Sequence, residues 1–375
     1  MTTVSLSPDL VKTWLAALIR GAEPDPMPEE ATLLSTARAE GVLALCHERL
    51  RQSPTWEQYP VTLRAALTQH VRQEVAVEML RAVELREVLA ALARQGLSVL
   101  LLKGAALAYT LYSEPHLRSR CDTDLLLASR EDAERAWGVL QTLGYQRPNA
   151  ISGDLISHEF GCYKAGLGEL PHALDVHWRL SNNMLFSERF TFAELAAAAV
   201  PIPALGPHAY SLGLVHVLLM ACIHRVSHLP DGSGNRLIWL YDIHQVAQCF
   251  TEEHWQQFTV LAEERGVCGP CLDGLNTSQV WFATVLPETV VCRLRVGASR
   301  ERFDPHQARS RWRFAWLIFR TLPSNAARLR WLGQNLFPEI NYMHRKYGFD
   351  HPGWLPWFYG LRIFQGVAKQ LRQGR

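Results

Sequence analysis

The chain has 375 residues, of which 48% are hydrophobic and 20% charged, and its formal net charge is +2. That length accommodates two domains, or one domain with large helical additions, and the composition is that of a folded globular protein. The near-neutral balance excludes a strong global field that would recruit polyanions, so there is no strong nucleic-acid signal, although a local basic groove stays open. The N-terminal MTTVSLSPDLVKTW lacks a basic start followed by a long apolar core, and no window approaches 18 uninterrupted apolar residues. Neither a signal peptide nor a transmembrane segment is therefore expected. Most of the eight cysteines sit in apolar runs, where the reduced thiol acts as a small hydrophobe, and a cytoplasmic address is expected.

From residue 7 to 95 apolar positions recur at three- and four-residue steps, as in LVKTWLAALI and VAVEMLRAVELREVLAALARQ. This predicts helix after helix with no strand, broken at Gly21–Pro28. Leu97–Leu102 is an apolar run of strand length, followed by Lys103-Gly104 and a short helix over AALAYTLY. SEPHLRSRC reads as a loop, Asp122–Ala128 as a second strand, and EDAERAWGVLQTLGY as an amphipathic helix with acidic residues in its first turn. His158–Lys164 and Ala173–Trp178 follow as strands joined by a hairpin turn at Gly166–Gly168. Past PIPALGP, the stretches YSLGLVHVLLMACIHRVSH and RLIWLYDIHQVAQCF predict apolar helices, and helical runs punctuated by proline continue to Arg375. The fold class is thus α+β. The expected organisation is an N-terminal helical segment over 1–79, a small mixed β-sheet core over 80–205 and a larger C-terminal helical domain over 206–375.

Chemistry concentrates in LLLKGAALAYTLYSEPHLRSRCDTDLLLA. Residues i and i+2 of a strand share a face, so Asp122 and Asp124 project side by side. Adjacent carboxylates repel and are costly to desolvate, unless cations sit between them. Hard oxygen ligands at that spacing suit Mg²⁺, with Mn²⁺ as an alternative, and two such ions about 4 Å apart would serve phosphoryl chemistry. Asp175, between Leu174 and Val176, is a charge in an apolar strand and the natural third ligand. The alternative for it is a buried ion pair, for example with Arg179. His177 shares its face and is either a site residue or a hydrogen-bonded structural histidine. A strand that passes through Gly104 straight into a helix presents free N–H groups that bind phosphate, to which Lys103, Arg118 and Arg120 add positive charge.

Strand, glycine turn into helix, Asp-x-Asp on the next strand and a lone Asp on a later one resemble the layout of polymerase-β-like nucleotidyltransferases. More narrowly, LLKGAALAYTLY with RSRCDTDLLL is similar to the bacterial family of uncharacterised nucleotidyltransferases. LLMACIHRVSH, RLIWLYDIHQVA and LFPEINYMHRKYG resemble its helical portion. The resemblance implies that Gly104 is the phosphate-turn glycine, that Arg118 is the arginine ahead of the pair, and that Asp122, Asp124 and Asp175 are catalytic and metal-binding. It implies metal-dependent transfer of a nucleotidyl group from a nucleoside triphosphate, with ATP expected, to a hydroxyl-type acceptor, releasing pyrophosphate. The acceptor is a small molecule, a peptide or a protein that the family does not identify. The usual Gly-Ser turn is Lys-Gly here, so the serine hydroxyl that normally touches phosphate is missing. The rival reading is an inactive module of the same fold that binds nucleotide or a partner protein in a biosynthetic cluster.

Other features have plainer readings. His216, His224 and His228 fall on one helical face, more in keeping with packed histidines than with zinc. Asp242 with Arg236 would either shape an acceptor pocket or form a structural ion pair. Cys268-Gly269-Pro270-Cys271 has a redox-like spacing but no βαβ context. The aromatic, basic closing segment HPGWLPWFYGLRIFQGVAKQLRQGR is expected to pack on the helical domain, with a membrane surface as the alternative.

Overall fold

The computed structural model describes residues 3–4, 6–148, 153–166, 171–349 and 351–373. Four helices open the chain: α1 (Pro8–Ile19), α2 (Glu30–Glu40), α3 (Leu43–Gln52) and the 34-residue α4 (Val61–Arg94). The break between α1 and α2 is not wholly strand-free, as the periodicity suggested. Thr3–Val4 (β1) and Met27–Pro28 (β2) pair in parallel, a contact too short to leave an alternating pattern.

A mixed sheet follows, built from β3 (Leu100–Leu102), β4 (Thr123–Leu126), β5 (Glu159–Ala165), β6 (Pro171–His177), β7 (Val200–Pro201) and β8 (Tyr210–Ser211), in the order β5-β6-β4-β3-β8-β7. Helix α5 (Lys103–Thr110) follows β3, α6 (Arg130–Thr142) follows β4, and the short α7 (Phe192–Ala197) precedes β7. The hairpin turn expected at Gly166–Gly168 falls largely outside the described residues. Tyr210 and Ser211, read from sequence as the start of a helix, are instead extended, with Ser211 beside Leu101 in a parallel pair. Gly213 then caps the helix proper. Two-residue strands are invisible to periodicity, because one alternation carries no period.

Strand parity separates two apolar layers. Leu101, Leu125, Leu174 and Val176, with Phe160 and Cys162, pack on α4 and α6 through Leu85, Leu89, Leu92, Ala136 and Leu140. Leu100, Leu102 and Leu126 point the other way, into a larger core shared with the N-terminal helices and the C-terminal ones. Asp124 alternates with Leu125 and therefore lies on that second face. Opposite it run α8 (Leu214–Ser227), α9 (Leu237–Gln248), α10 (Glu252–Arg265), α11 (Cys268–Phe282) and α12 (Glu288–Ala298). The architecture is α+β, with helices on both faces of the sheet. The remainder is α13 (Pro305–Ala308), α14 (Arg311–Thr321), α15 (Asn325–Leu336), α16 (Ile340–Tyr347) and α17 (Leu355–Gln373). Among the described residues no helix is long and apolar enough to cross a membrane.

Helix α8 is pinned by a charge. Arg225, fully buried, pairs with Asp273 of α11 and donates to Thr277 Oγ1 at 2.9 Å and to Asn235 Oδ1 at 2.7 Å. Removing one member of a buried pair strands the other, at a cost of about 3–5 kcal/mol. Arg225→Ala is therefore expected to lower the denaturation midpoint sharply; a change under about 1 kcal/mol by urea titration would show that Asp273 rehydrates freely.

Candidate active site

The facing surfaces of the sheet and the helices leave a cavity of about 810 Å³. Its sheet wall carries the predicted carboxylates. β4 and β6 pair in parallel with Asp124 opposite Asp175, so the two side chains share a face and stand on adjacent strands. Asp122 sits one residue before β4 and reaches the same cavity. On the far side of β6, Gly161 is the partner of Asp175, and a Cβ there would lie 3.1 Å from Asp175 Oδ1. The missing side chain leaves Asp175 its space.

Burial, reinforced by the crowding of like charges, sets the electrostatics. Burial raises the pKa of Asp175 to about 6, and Glu159, Asp122 and Asp124 add to the effect. Burial and the neighbouring Asp124 likewise raise Asp122. Asp124 goes the other way. Burial alone would raise it, but Lys103 Nζ at 2.5 Å and His177 Nε2 at 2.9 Å hold it ionised, well below the usual carboxylate range. His177 in turn lies 2.9 Å from Glu159 through Nδ1. Burial and Lys103 pull its pKa down, yet the contacts with Asp124 and Glu159 prevail and raise it to about 9. His177 is thus an imidazolium clamped between two carboxylates. Glu159 lines the cavity and escaped the sequence analysis. Its only signal was parity: in HEFGCYK it alternates with buried Phe160 and Cys162.

The turn expected at Gly104 is built differently. Lys103 is the left-handed residue, with φ 49°, and starts α5, while Gly104 is already helical. A non-glycine residue there costs on the order of 1 kcal/mol, and the ammonium reaches Asp124 from this turn. Gly104 serves close packing: a Cβ would lie 3.3 Å from the Arg118 guanidinium and 3.4 Å from Arg120 Cβ. Helix α5 has no side-chain cap, so its first-turn N–H groups are left for a ligand or water.

The two arginines expected on phosphate both line the cavity, but each already has a carboxylate partner. Arg118 holds Asp242 of α9 through Nε at 2.9 and 3.0 Å and Nη2 at 2.7 Å, and Tyr112 donates to the same carboxylate at 2.7 Å. Asp242 therefore pairs with Arg118, not with Arg236, whose Nε donates to Ala39 O. Arg120 binds Glu78 of α4 at 2.7 Å and also Thr123 Oγ1. Arg179, the suggested partner of Asp175, lies instead 3.8 Å from Glu188.

Across the cavity stand His224 of α8, His228 just past its end and Trp239 of α9, with ring centroids 4.5–5.2 Å apart. Burial, Lys103 and His228 keep His224 neutral. His216 points elsewhere, to Glu194 at 3.7 Å, so the three histidines form no cluster. Phe314 and Ile318 of α14 complete this wall. Cys268 and Cys271 are buried at the start of α11, and Glu301 accepts from the N–H groups of Cys268 and Gly269. Burial raises the Cys268 thiol to about 12, the opposite of a redox-active thiol.

Among the described residues no three His, Cys, Asp or Glu groups converge as a finished metal cage. The donor chemistry nonetheless fits a hard divalent cation: three carboxylates line one wall of the cavity, two of them with pKa values raised by burial and by neighbouring carboxylates, and a lysine ammonium already sits on the third.

A small mixed sheet with three carboxylates on one face, under a helical cover, has the layout of a nucleotidyltransferase. The chain belongs to the family described as uncharacterised nucleotidyltransferase, whose model matches residues 26–283. No match was found among curated proteins. The family makes nucleotidyl transfer the general class of activity and a nucleotide the class of substrate.

Because the folded state raises the pKa of Asp175, folding favours its protonated form; that contribution is present at low pH and lost as pH rises through about 6. Asp175→Asn is expected to stabilise the ligand-free protein by about 1–2 kcal/mol at pH 7.5, by about half as much at pH 5, and by nothing measurable at pH 3. Equal melting temperatures for the two proteins at pH 7.5 would mean that Asp175 is relieved by some other charge.

Proposed function

We propose that the protein transfers a nucleotidyl group from a nucleoside triphosphate, with ATP as the expected donor, to a hydroxyl of an acceptor, releasing pyrophosphate. The observation that carries this reading is the in-register placement of Asp124 and Asp175 on parallel strands, with Asp122 at the entry to the first. Asp122, Asp124 and Asp175 would hold Mg²⁺, one ion or two, which when bound supplies charge neutralisation on the phosphates. The unsatisfied N–H groups at the start of α5 would orient the triphosphate, as helix N-termini do. Lys103 would pass from Asp124 to a phosphate oxygen as the donor enters. The Glu159–His177 pair holds the Asp124 carboxylate in orientation. Asp175 would lie beside the attacking hydroxyl and help take its proton. The acceptor lies against His224, Trp239, Phe314 and Ile318, an aromatic and apolar wall that suits a small molecule or a peptide side chain.

One observation favours a second reading, a binding module without turnover: the Lys103 ammonium occupies the position beside Asp124 where a metal would sit. The two readings separate experimentally. Pyrophosphate release with Mg²⁺ and each ribonucleoside triphosphate in turn, over a panel of hydroxyl acceptors, is expected for one nucleotide. Asp122→Asn and Asp124→Asn are each expected to lower it by about 10³-fold, the scale of losing a group that acts on developing charge. Full activity in either variant would sink the proposal. A metal-dependent thermal shift of about 2.7 kcal/mol at a hundredfold ligand excess, with no pyrophosphate release from any acceptor, would establish the binding module.

Lys103→Met tests the exchange of partners. It is expected to tighten metal binding to the nucleotide-free protein and to weaken triphosphate binding. Weaker metal binding in this variant would show that the lysine supports the carboxylates rather than competing for them.

A further inference from the structure

The charge of the chain is sharply polarised. Residues 309–375 carry twelve Lys and Arg against two acidic residues, while residues 1–308 carry 26 against 34. The basic portion lies beyond the 26–283 stretch that the family model matches. Among the described residues it also carries every exposed tryptophan and phenylalanine. Helices α14 and α15 have no buried residue. Trp312 and Trp316 on α14 are 62% and 60% exposed, and Phe319 stacks on Trp316 at 5.6 Å. Trp354, Trp357, Leu361 and Phe364 recur at helical spacing along the end of the chain, with Phe364 70% exposed. Leu329, Phe337 and Ile340 are exposed between them. The described side chains of α17 pack within this portion: Tyr359 donates to Pro338 O, Arg362 to Asn335 O, and Phe358 stacks on Tyr347 and Phe349.

We infer that residues 309–375 are a docking surface for the anionic face of a lipid bilayer. Five physical features favour lipid over other partners. A patch this apolar is not left to water without a partner. Indole rings favour the bilayer interface, where the ring is buried and the N–H stays wet. Long arginine side chains cover apolar surface while keeping their charge at the headgroups. Arg313 and Arg320, flanking the two tryptophans of α14, meet no carboxylate among the described residues. Leu329, Ile340 and Ile363 argue against a nucleic-acid platform, which stacks bases on aromatic rings and has no use for exposed aliphatic side chains. Attachment would be in the plane of the interface, not across the membrane.

The test is co-sedimentation of the full-length protein with phosphatidylglycerol–phosphatidylcholine vesicles and with pure phosphatidylcholine vesicles, over a salt series. Partitioning is expected on the anionic vesicles only and should fall with salt, since salt screens the attraction between basic side chains and anionic headgroups. Trp312→Ser/Trp316→Ser/Trp357→Ser is expected to lower partitioning at least tenfold. Arg313→Gln/Arg320→Gln should lower it and flatten the salt dependence. Asp124→Asn should bind as the unaltered protein does, so this result stands or falls apart from the proposed transferase activity. Circular dichroism verifies that each variant folds. Absence of binding to anionic vesicles overturns the inference. So does binding of a single-stranded homopolymer RNA with no vesicle binding, and so does salt-sensitive self-association in sedimentation velocity that the tryptophan variant abolishes while vesicles remain unbound.

Discussion

The parallel pairing of β4 with β6 is the constraint from which the site follows. Register sets Asp124 directly beside Asp175, and parity puts both on the face away from the core that packs on α4 and α6. Two carboxylates so placed cannot both be ionised and unpaired in a half-buried cavity without large cost. Each neighbour can be understood as a response to that repulsion. Lys103 and His177 take Asp124 as a fully ionised group, Glu159 balances the imidazolium, and Asp175 is left with its pKa raised. The sheet therefore stores unfavourable charge at one spot, in a form that a divalent cation and a triphosphate together would relieve.

A second interaction sets the distance between the sheet and its helical cover. Arg118, on the loop before β4, is forked onto Asp242 of α9, and Tyr112 closes the third side. All three are buried, so the strut is shielded from bulk solvent at the edge of the cavity. It fastens the helix carrying Trp239 to the loop that enters the Asp-x-Asp strand. Gly104 permits this, because a side chain there would press on the guanidinium. Glycine at this position is thus explained by packing in the ligand-free protein, independently of any phosphate.

What could be read from the sequence followed from period and from cost. Asp-x-Asp on a strand, and Asp175 between apolar neighbours, are legible because a charge in an apolar alternation has few cheap explanations. The long helices were legible for the same reason of periodicity. The strands β7 and β8 were not, since two residues carry no period. Ion-pair partners were not legible either: Arg118 and Asp242 are 124 residues apart, and only the third dimension decides between Arg118 and Arg236. That Lys103 takes a left-handed conformation at this turn, and so reaches Asp124, was not legible, because such backbone is seldom adopted by a residue with a side chain. Glu159 carried no signal beyond alternation, which every half-buried strand shares.

Helix α14 ties the cavity to the outer surface. Phe314 and Ile318 close the acceptor wall, while Trp312 and Trp316 on the same helix face outward beside Arg313 and Arg320. Its contacts with the main body are few in kind: apolar packing by Phe314, Leu317 and Ile318, and the Arg311 hydrogen bond to Pro230 O. An element held this lightly shifts with small changes in its surroundings, because little buried area opposes the movement. Whatever engages the outer face of α14 would therefore bear on the helix that lines the wall opposite the carboxylates. The acidic body and the basic, aromatic end of the chain would then be mechanically coupled parts, with the helix that anchors also being the helix that closes the acceptor side.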